Sequence, residues 1–331
     1  MTRCAVVGAG AWGTALADLL ARNGHDVRIW AYEWDVVETI NRLHQNRRFL
    51  AGNQLADSLV AYNDMKETLA GAELVTLATP SHVLRAISKS AREFVPTGIP
   101  IVVASKGIER ESLALMTDIA ADELPQGTVV ALSGPSFAAE VVAQQPTAVV
   151  VASKDEQAAF FAQQAFSSIH FRAYTHSDVT GVEIGGSLKN VMAVATGIAD
   201  GLGLGFNARA ALITRGLAEM TRLGVKLGAE PATLAGLAGL GDLVLTCTGS
   251  LSRNRSVGVE VGRGVPLEEV LAGKETVAEG VVTTRSAHAL AAREDVEMPI
   301  VDAVHRVLFE GQTARDAIGA LMARELRPES D

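Results

Sequence analysis

Cysteine is nearly absent from this chain. Its 331 residues include only Cys4 and Cys247, so no disulfide framework is expected, a reducing compartment fits, and both thiols read as inert and buried. Cysteine and histidine do not gather at metal-ligand spacing, so no metal is expected. No stretch approaches about eighteen uninterrupted apolar residues, and no long apolar segment precedes the first strand signal; neither membrane insertion nor a leader is expected, and the simplest location is the cytoplasm. Positive charge is in short supply, 29 Lys and Arg against 38 Asp and Glu, for a net charge of −9. That balance repels nucleic acid and anionic membranes at long range, so an anionic small molecule has to be caught by a local basic pocket. What remains, 48% hydrophobic and 20% charged residues, is ordinary globular composition, and the length exceeds what one core usually serves.

Short apolar runs at 4–7, 27–30, 74–78, 101–104, 129–132 and 148–151 alternate with longer helical patterns. This rhythm predicts an α/β fold, a Rossmann-type doubly wound and mostly parallel sheet, with ligand groups at the C-terminal ends of the strands. Helix-start chemistry recurs at the junctions; in Thr79-Pro80-Ser81, threonine can cap and proline suits the first helical position. After about Thr180 strand signals stop, and helices are expected at 182–200, 207–227, 231–240, 279–292 and 299–309. The division is therefore a dinucleotide-binding domain over 1–180 and an all-α substrate and catalytic domain over 181–331.

Gly8-Ala9-Gly10-Ala11-Trp12-Gly13 follows the first strand and opens a helix, the context that gives a G-x-G-x-x-G string its meaning. Gly8 makes the tight turn, Gly10 lets backbone approach a pyrophosphate, and Gly13 lets the helix pack closely on the strand. The cofactor is NAD or NADP. Glu33 lies about twenty residues after Gly13, where a carboxylate would accept from the ribose of NAD, or it is a solvated first-turn acid. Neither Ala31 nor Tyr32 supplies the arginine that would favour NADP.

Three segments after later strands are expected to converge on the same crevice: Thr79 to His82, Ser105-Lys106-Gly107, and Ser133-Gly134-Pro135-Ser136-Phe137-Ala138. Lys106 can reach a phosphate or carbonyl or be an ordinary surface lysine; Ser136 can bind ligand or only cap; His82 reads as structural. The strongest catalytic candidate is Lys189. Its helix carries an apolar stripe of Leu188, Val191, Met192 and Ile198, and a second face of Gly185, Gly186, Ala193, Thr196 and Gly197 on which Lys189 is the one charge. That face serves either tight helix packing or the approach of a ligand. Further on, Asp242 can orient Lys189, accept from a substrate hydroxyl or cap a helix. The loop 250–256 holds Ser252, Arg253, Asn254 and Arg255, a dense donor set suited to a phosphate, or else solvated arginines.

Seven strings in order, GAGAWGTALA, SKGIE, SGPSFAAE, GGSLKNV, NARAALITRGLAEM, GLGDLVLTCT and SRNRSVG, make the chain resemble the bacterial NAD(P)-dependent glycerol-3-phosphate dehydrogenases over essentially its whole length. The resemblance implies reduction of dihydroxyacetone phosphate to sn-glycerol 3-phosphate with NADPH or NADH, feeding phospholipid synthesis. It implies Lys189 as proton donor and acceptor, and Lys106 as a contact to substrate and cofactor. Gly134, Ser136, Asp242, Ser252, Arg253 and Asn254 match substrate positions, with Asn190 and Thr246 carried from the wider family. Ala11, Trp12, Tyr32, Ala138, Val277 and Glu279 match cofactor positions, and Arg253 touches both ligands. Tyr32 departs from the arginine or histidine of many relatives, which leaves NADPH and NADH both open. A homodimer is compatible with this reading. The competing readings are a two-domain hydroxyacid or ketopantoate-type reductase and a dinucleotide-binding protein without turnover.

Overall fold

Eight strands form one sheet in the order β3-β2-β1-β4-β5-β6-β7-β8. They are β1 (Arg3–Val7), β2 (Asp26–Trp30), β3 (Val60–Tyr62), β4 (Leu74–Leu77), β5 (Pro100–Val103), β6 (Thr128–Ser133), β7 (Thr147–Ala152) and β8 (Phe171–His176). The computed structural model describes residues 1–273, 278–326 and 328–329. All pairings are parallel except β6 with β7. Strands β1, β4 and β5 are buried almost throughout, which is why they read as mostly apolar runs, with Thr76 of β4 buried among them.

Helices α1 (Ala11–Arg22), α2 (Trp34–Leu43), α3 (Met65–Leu69), α4 (Leu84–Ala91), α5 (Met116–Glu123), α6 (Ala138–Val142) and α7 (Glu156–Phe166) belong to the sheet region. The chain order reverses between β1 and β4, so the C-terminal ends of β1, β4, β5 and β6 open on one edge at a topological switch point.

The second region is helical: α8 (Val179–Gly201), α9 (Phe206–Lys226), α10 (Pro231–Leu234), α11 (Asp242–Thr248), α12 (Arg253–Gly262), α13 (Leu267–Leu271), α14 (Glu279–Arg293), α15 (Pro299–Phe309) and α16 (Ala314–Met322). Residues Gly181 to Ala199 of α8 are all buried. A helix enclosed on every side needs no polar face, so both expected stripes are packing surfaces. Leu188, Val191, Met192 and Ile198 join the helical core with Met220, Leu223 and Leu243. The small face meets backbone: a Cβ at Gly197 would overlap the Arg255 carbonyl and come within 2.9 Å of Gly258 Cα, so α8 and α12 cross with main chains in contact.

Three local expectations change. Thr79 does not cap; its hydroxyl is buried without a hydrogen bond among the described residues, and Pro80 precedes a short 3-10 turn, Ser81–Val83, that runs into α4. The helix expected over 231–240 stops at Leu234, and a π-turn, Leu237–Gly241, leads into α11. The 250–256 segment is not a loop throughout, because Ser252 accepts from the Arg255 amide and starts α12 at Arg253.

Candidate active site

The glycine loop is built from backbone alone. Gly8 has φ +114°, and its amide donates to Trp30 O at 3.1 Å, which turns the chain over the end of β2. A Cβ on Gly13 would overlap Gly8 O, so only glycine lets α1 sit this close to β1. Gly10 caps α1, and a Cβ there would meet nothing within 4 Å. The amides at the start of α1 have no intrahelical partner, and with no side chain at Gly10 the backbone there is open to a close-approaching pyrophosphate. The loop is braced by Asn46, whose side chain donates to Ala9 O and Thr14 Oγ1, both at 2.8 Å. These features fit a dinucleotide, and the Trp12 indole N–H is buried without a partner among the described residues. At the end of β2, Tyr32 is 75% exposed and the Glu33 carboxylate makes no hydrogen bond or ion pair among the described residues.

Beyond β5 and β6 the arrangement is made of side chains. Asp242, wholly buried at the first position of α11, holds two ammonium groups on its two oxygens: Lys106 at 2.7 Å on Oδ2, and Lys189 of α8 in a short contact on Oδ1. Lys106 also reaches Gly134 O at 3.4 Å, and the Ser136 hydroxyl donates to that same carbonyl at 2.9 Å. Thr246, one turn along α11, donates to Asp242 O at 2.6 Å. A buried carboxylate shared by two cations leaves one positive charge over, suited to a developing oxyanion. Burial pushes the Lys189 ammonium down to about 8, with Lys106 repelling it and Asp242 pulling the other way.

The helical side supplies a polar relay. Asn254 Nδ2 donates to Asn190 Oδ1 at 2.8 Å, and the Gly280 amide donates to Asn254 Oδ1 at 2.9 Å. Glu279, next to Gly280, crosses to the sheet region and accepts from the Ser81 hydroxyl at 2.6 Å and amide at 3.2 Å. Burial raises the Glu279 pKa, and those two bonds work against the rise. Arg253, at the first turn of α12, is exposed; its side chain makes no hydrogen bond or ion pair among the described residues, and its positive charge acts on Glu279.

Most of the sequence-derived residues thus meet at one edge. Lys106, Gly134, Ser136, Lys189, Asp242 and Thr246 are joined by hydrogen bonds; Asn190 and Asn254 are joined to the start of α14, and Ala138 begins α6. Arg255 does not belong with them. Its guanidinium is held at 2.7 Å by Asp200, which also binds Arg209, so the donor set of α12 loses one of its two arginines to packing. Val277 lies outside the described residues. His82 is exposed, while Cys4 and Cys247 are buried free thiols pushed up to about 12 by burial. Sequence reasoning missed Asn46, Thr117, Glu183 and Ser187, and brought Ser81 to the crevice only as part of its segment; the partners of these polar residues lie up to 198 positions away.

Comparison with known proteins agrees with this geometry. Residues 3–159 match the model for the N-terminus, and residues 178–319 the model for the C-terminus, of NAD-dependent glycerol-3-phosphate dehydrogenase. A glycerol-3-phosphate dehydrogenase [NAD(P)+] of Citrifermentans bemidjiense is 51% identical over 330 residues, covering 99% of this chain and 98% of the relative. The crystal structure of a glycerol-3-phosphate dehydrogenase from Coxiella burnetii superposes with a TM-score of 0.94 at 42% identity, over 98% of this chain and 99% of that one. A ketopantoate reductase from Ralstonia eutropha JMP134 reaches only 0.63 at 15% identity, over 96% and 99% of the two chains, a likeness of fold alone. Both halves of the sequence and the assembled edge between them lead to one assignment: the chain belongs to the NAD-dependent glycerol-3-phosphate dehydrogenase family.

Proposed function

We propose that residues 1–180 bind the dinucleotide and residues 181–331 bind substrate and handle the proton, and that the chain reversibly reduces dihydroxyacetone phosphate to sn-glycerol 3-phosphate. The observation that carries this reading is the Lys106, Asp242 and Lys189 cluster at the edge onto which the glycine loop also opens.

Gly8, Gly10, Ala11, Trp12 and Gly13 cradle the pyrophosphate; Tyr32 covers the adenosine end; Lys106, Ala138, Arg253, Val277 and Glu279 complete the cofactor contacts. Bound NADH or NADPH supplies a hydride to the ketone carbon. As that carbon accepts the pair, the carbon–oxygen π electrons move onto oxygen, and Lys189 donates a proton there and is left neutral. In the reverse direction the neutral amine takes the hydroxyl proton. Asp242 holds Lys189 in place, and the surplus positive charge of the lysine pair stabilises the developing oxyanion. Arg253, with Ser252 and Asn254 at the start of α12, fixes the phosphate, while Gly134, Ser136, Asn190 and Thr246 line the remainder of the substrate site. Binding energy at the phosphate, remote from the reacting carbon, then orients that carbon for transfer. Unpaired Glu33 supports acceptance of the NADH ribose, and nothing at Tyr32 adds a cation for the extra phosphate of NADPH.

The enzyme is further proposed to work in the cytoplasm as a homodimer without membrane insertion. Pro231–Thr248 is apolar enough to span a bilayer by composition, but it is divided among α10, a π-turn and α11 and carries Asp242, which supports a place in the core. The direct experiment is to mix purified protein with dihydroxyacetone phosphate and NADH or NADPH and follow nicotinamide absorbance. Oxidation of either cofactor that depends on the ketone is expected; none with both overturns the reading.

A further inference from the structure

Lys106 sits at the start of a segment that leaves β5 and ends in α5, and α8 grips this segment at both ends. At the near end, the Ser187 hydroxyl accepts from the Gly107 amide and donates to the Gly107 carbonyl, each at 3.0 Å. One hydroxyl thereby takes both backbone groups of the residue after Lys106. Gly107 has φ +156°, and a Cβ on it would come within 2.6 Å of Ser81 Cβ, so the chain passes here in a fixed and crowded path. At the far end, the Glu183 carboxylate accepts from the Thr117 amide at 2.8 Å and in a short contact from the Thr117 hydroxyl. Thr117 is the second residue of α5, so Glu183 also meets the positive end of that helix. Between the two ends, Ile108 and Leu115 bridge to each other and are buried in the same core as Leu188 and Val191.

The two gripping residues are four apart and so lie one above the other on α8, with Lys189 two residues further on. Ser187 is 1% exposed, and Glu183 is also buried. Buried polar groups at these positions would be costly without partners, and each partner they have is on the Lys106 segment or α5.

We propose that Ser187 and Glu183 are positioning residues that clamp the Lys106 segment to α8, and so keep Lys106 and Lys189 on opposite oxygens of Asp242. The inference rests on the proposed catalytic role of Lys189. Asp242 from α11 and Lys106 from the segment are the charged groups that act on Lys189; Glu183 faces Thr117 and the Asp118 carboxylate of α5. After burial, repulsion by Lys106 is what keeps Lys189 acidic against the pull of Asp242. Releasing the clamp lets Lys106 move away, which makes Lys189 more basic and loosens the hold on substrate.

The test measures Lys189 itself. In cofactor-free enzyme, the rate of its modification by an amine-reactive reagent is followed against pH by mass spectrometry, alongside thermal unfolding and the kcat and KM for dihydroxyacetone phosphate. In Ser187→Ala the reactivity midpoint is expected to move up by about half a pH unit or more, and KM to rise roughly fivefold, a misplacement effect, with kcat changed less. Glu183→Gln, which retains an acceptor for the Thr117 amide and a donor for its hydroxyl, should keep both values near wild type, whereas Glu183→Ala should shift them in the same sense as Ser187→Ala. If Ser187→Ala does not fold, Ser187→Cys makes the same measurement with nearly unchanged shape. A folded Ser187 variant with unmoved midpoint and unmoved KM overturns the clamp. Because the labelling needs no turnover, a clamp that behaves as expected in a protein unable to reduce the ketone would sink the functional reading alone.

Discussion

The glycine loop and the Asp242 cluster stand at one edge of the same sheet and are made in opposite ways. The loop spans six consecutive residues, presents main-chain amides, and depends on the absence of side chains at Gly8 and Gly13. The cluster draws its charges from Lys106, Lys189 and Asp242, 136 positions apart at their widest, and depends on side chains held by buried partners. A backbone site needs local geometry. A side-chain site needs the sheet region and the helical region packed correctly, so damage to α8 should reach chemistry where damage to the loop reaches cofactor affinity.

The largest effect expected from that contrast is at Lys189. Lys189→Ala should lower kcat by roughly a hundredfold or more, as loss of a general acid does, while cofactor affinity measured by nicotinamide fluorescence stays near wild type. Near-normal turnover would remove Lys189 from its role. Next come the two arginines of α12, which separate ligand binding from packing. Arg253→Ala should raise the KM for the phosphorylated ketone by roughly tenfold or more, the worth of a charge-assisted hydrogen bond. Arg255→Ala should leave that KM nearly unchanged and lower stability by about 1 kcal/mol, since its partner is Asp200. Equal effects on KM would mean that the phosphate meets both.

Smaller still is the contrast between two glycines. Gly197→Ala gains about 1 kcal/mol in helix propensity, but the new methyl meets the Arg255 carbonyl and Gly258, an overpacking that costs about 1–3 kcal/mol. A net loss of up to about 2 kcal/mol is expected in denaturant titration. Gly10→Ala adds a methyl with no protein atom within 4 Å, so folding should be untouched while cofactor affinity falls. Loss of affinity at Gly197 and of stability at Gly10 would reverse the comparison.

The same contrast explains how much was legible in the sequence. The loop could be read because each of its requirements is met within neighbouring residues. Strands β1, β4 and β5 were plain because burial on both faces leaves mostly apolar side chains. Strand β3 has three residues, too few for a pattern, and β8 alternates buried Phe171 and Ala173 with exposed Arg172 and Tyr174, a weak signal for an outer strand. In the candidate site, Lys189, Asp242 and Lys106 stood out as charges in apolar or glycine-rich settings. Arg255 misled, since nothing local reveals that Asp200 claims it. Ser187 and Glu183 were silent for a related reason: a serine or glutamate in a helix looks ordinary until its distant partner is known.

The central claim is that buried Lys189 carries the reacting proton, and the pH dependence of kcat/KM in both directions tests it most directly. Ketone reduction needs the ammonium, which is populated below about 8, so its kcat/KM should fall as pH rises through that value. Oxidation of sn-glycerol 3-phosphate needs the neutral amine, so its kcat/KM should rise through the same value. Opposite limbs meeting near pH 8, both lost in Lys189→Ala, are the predicted result; limbs of the same sense, or limbs that persist in Lys189→Ala, would contradict it.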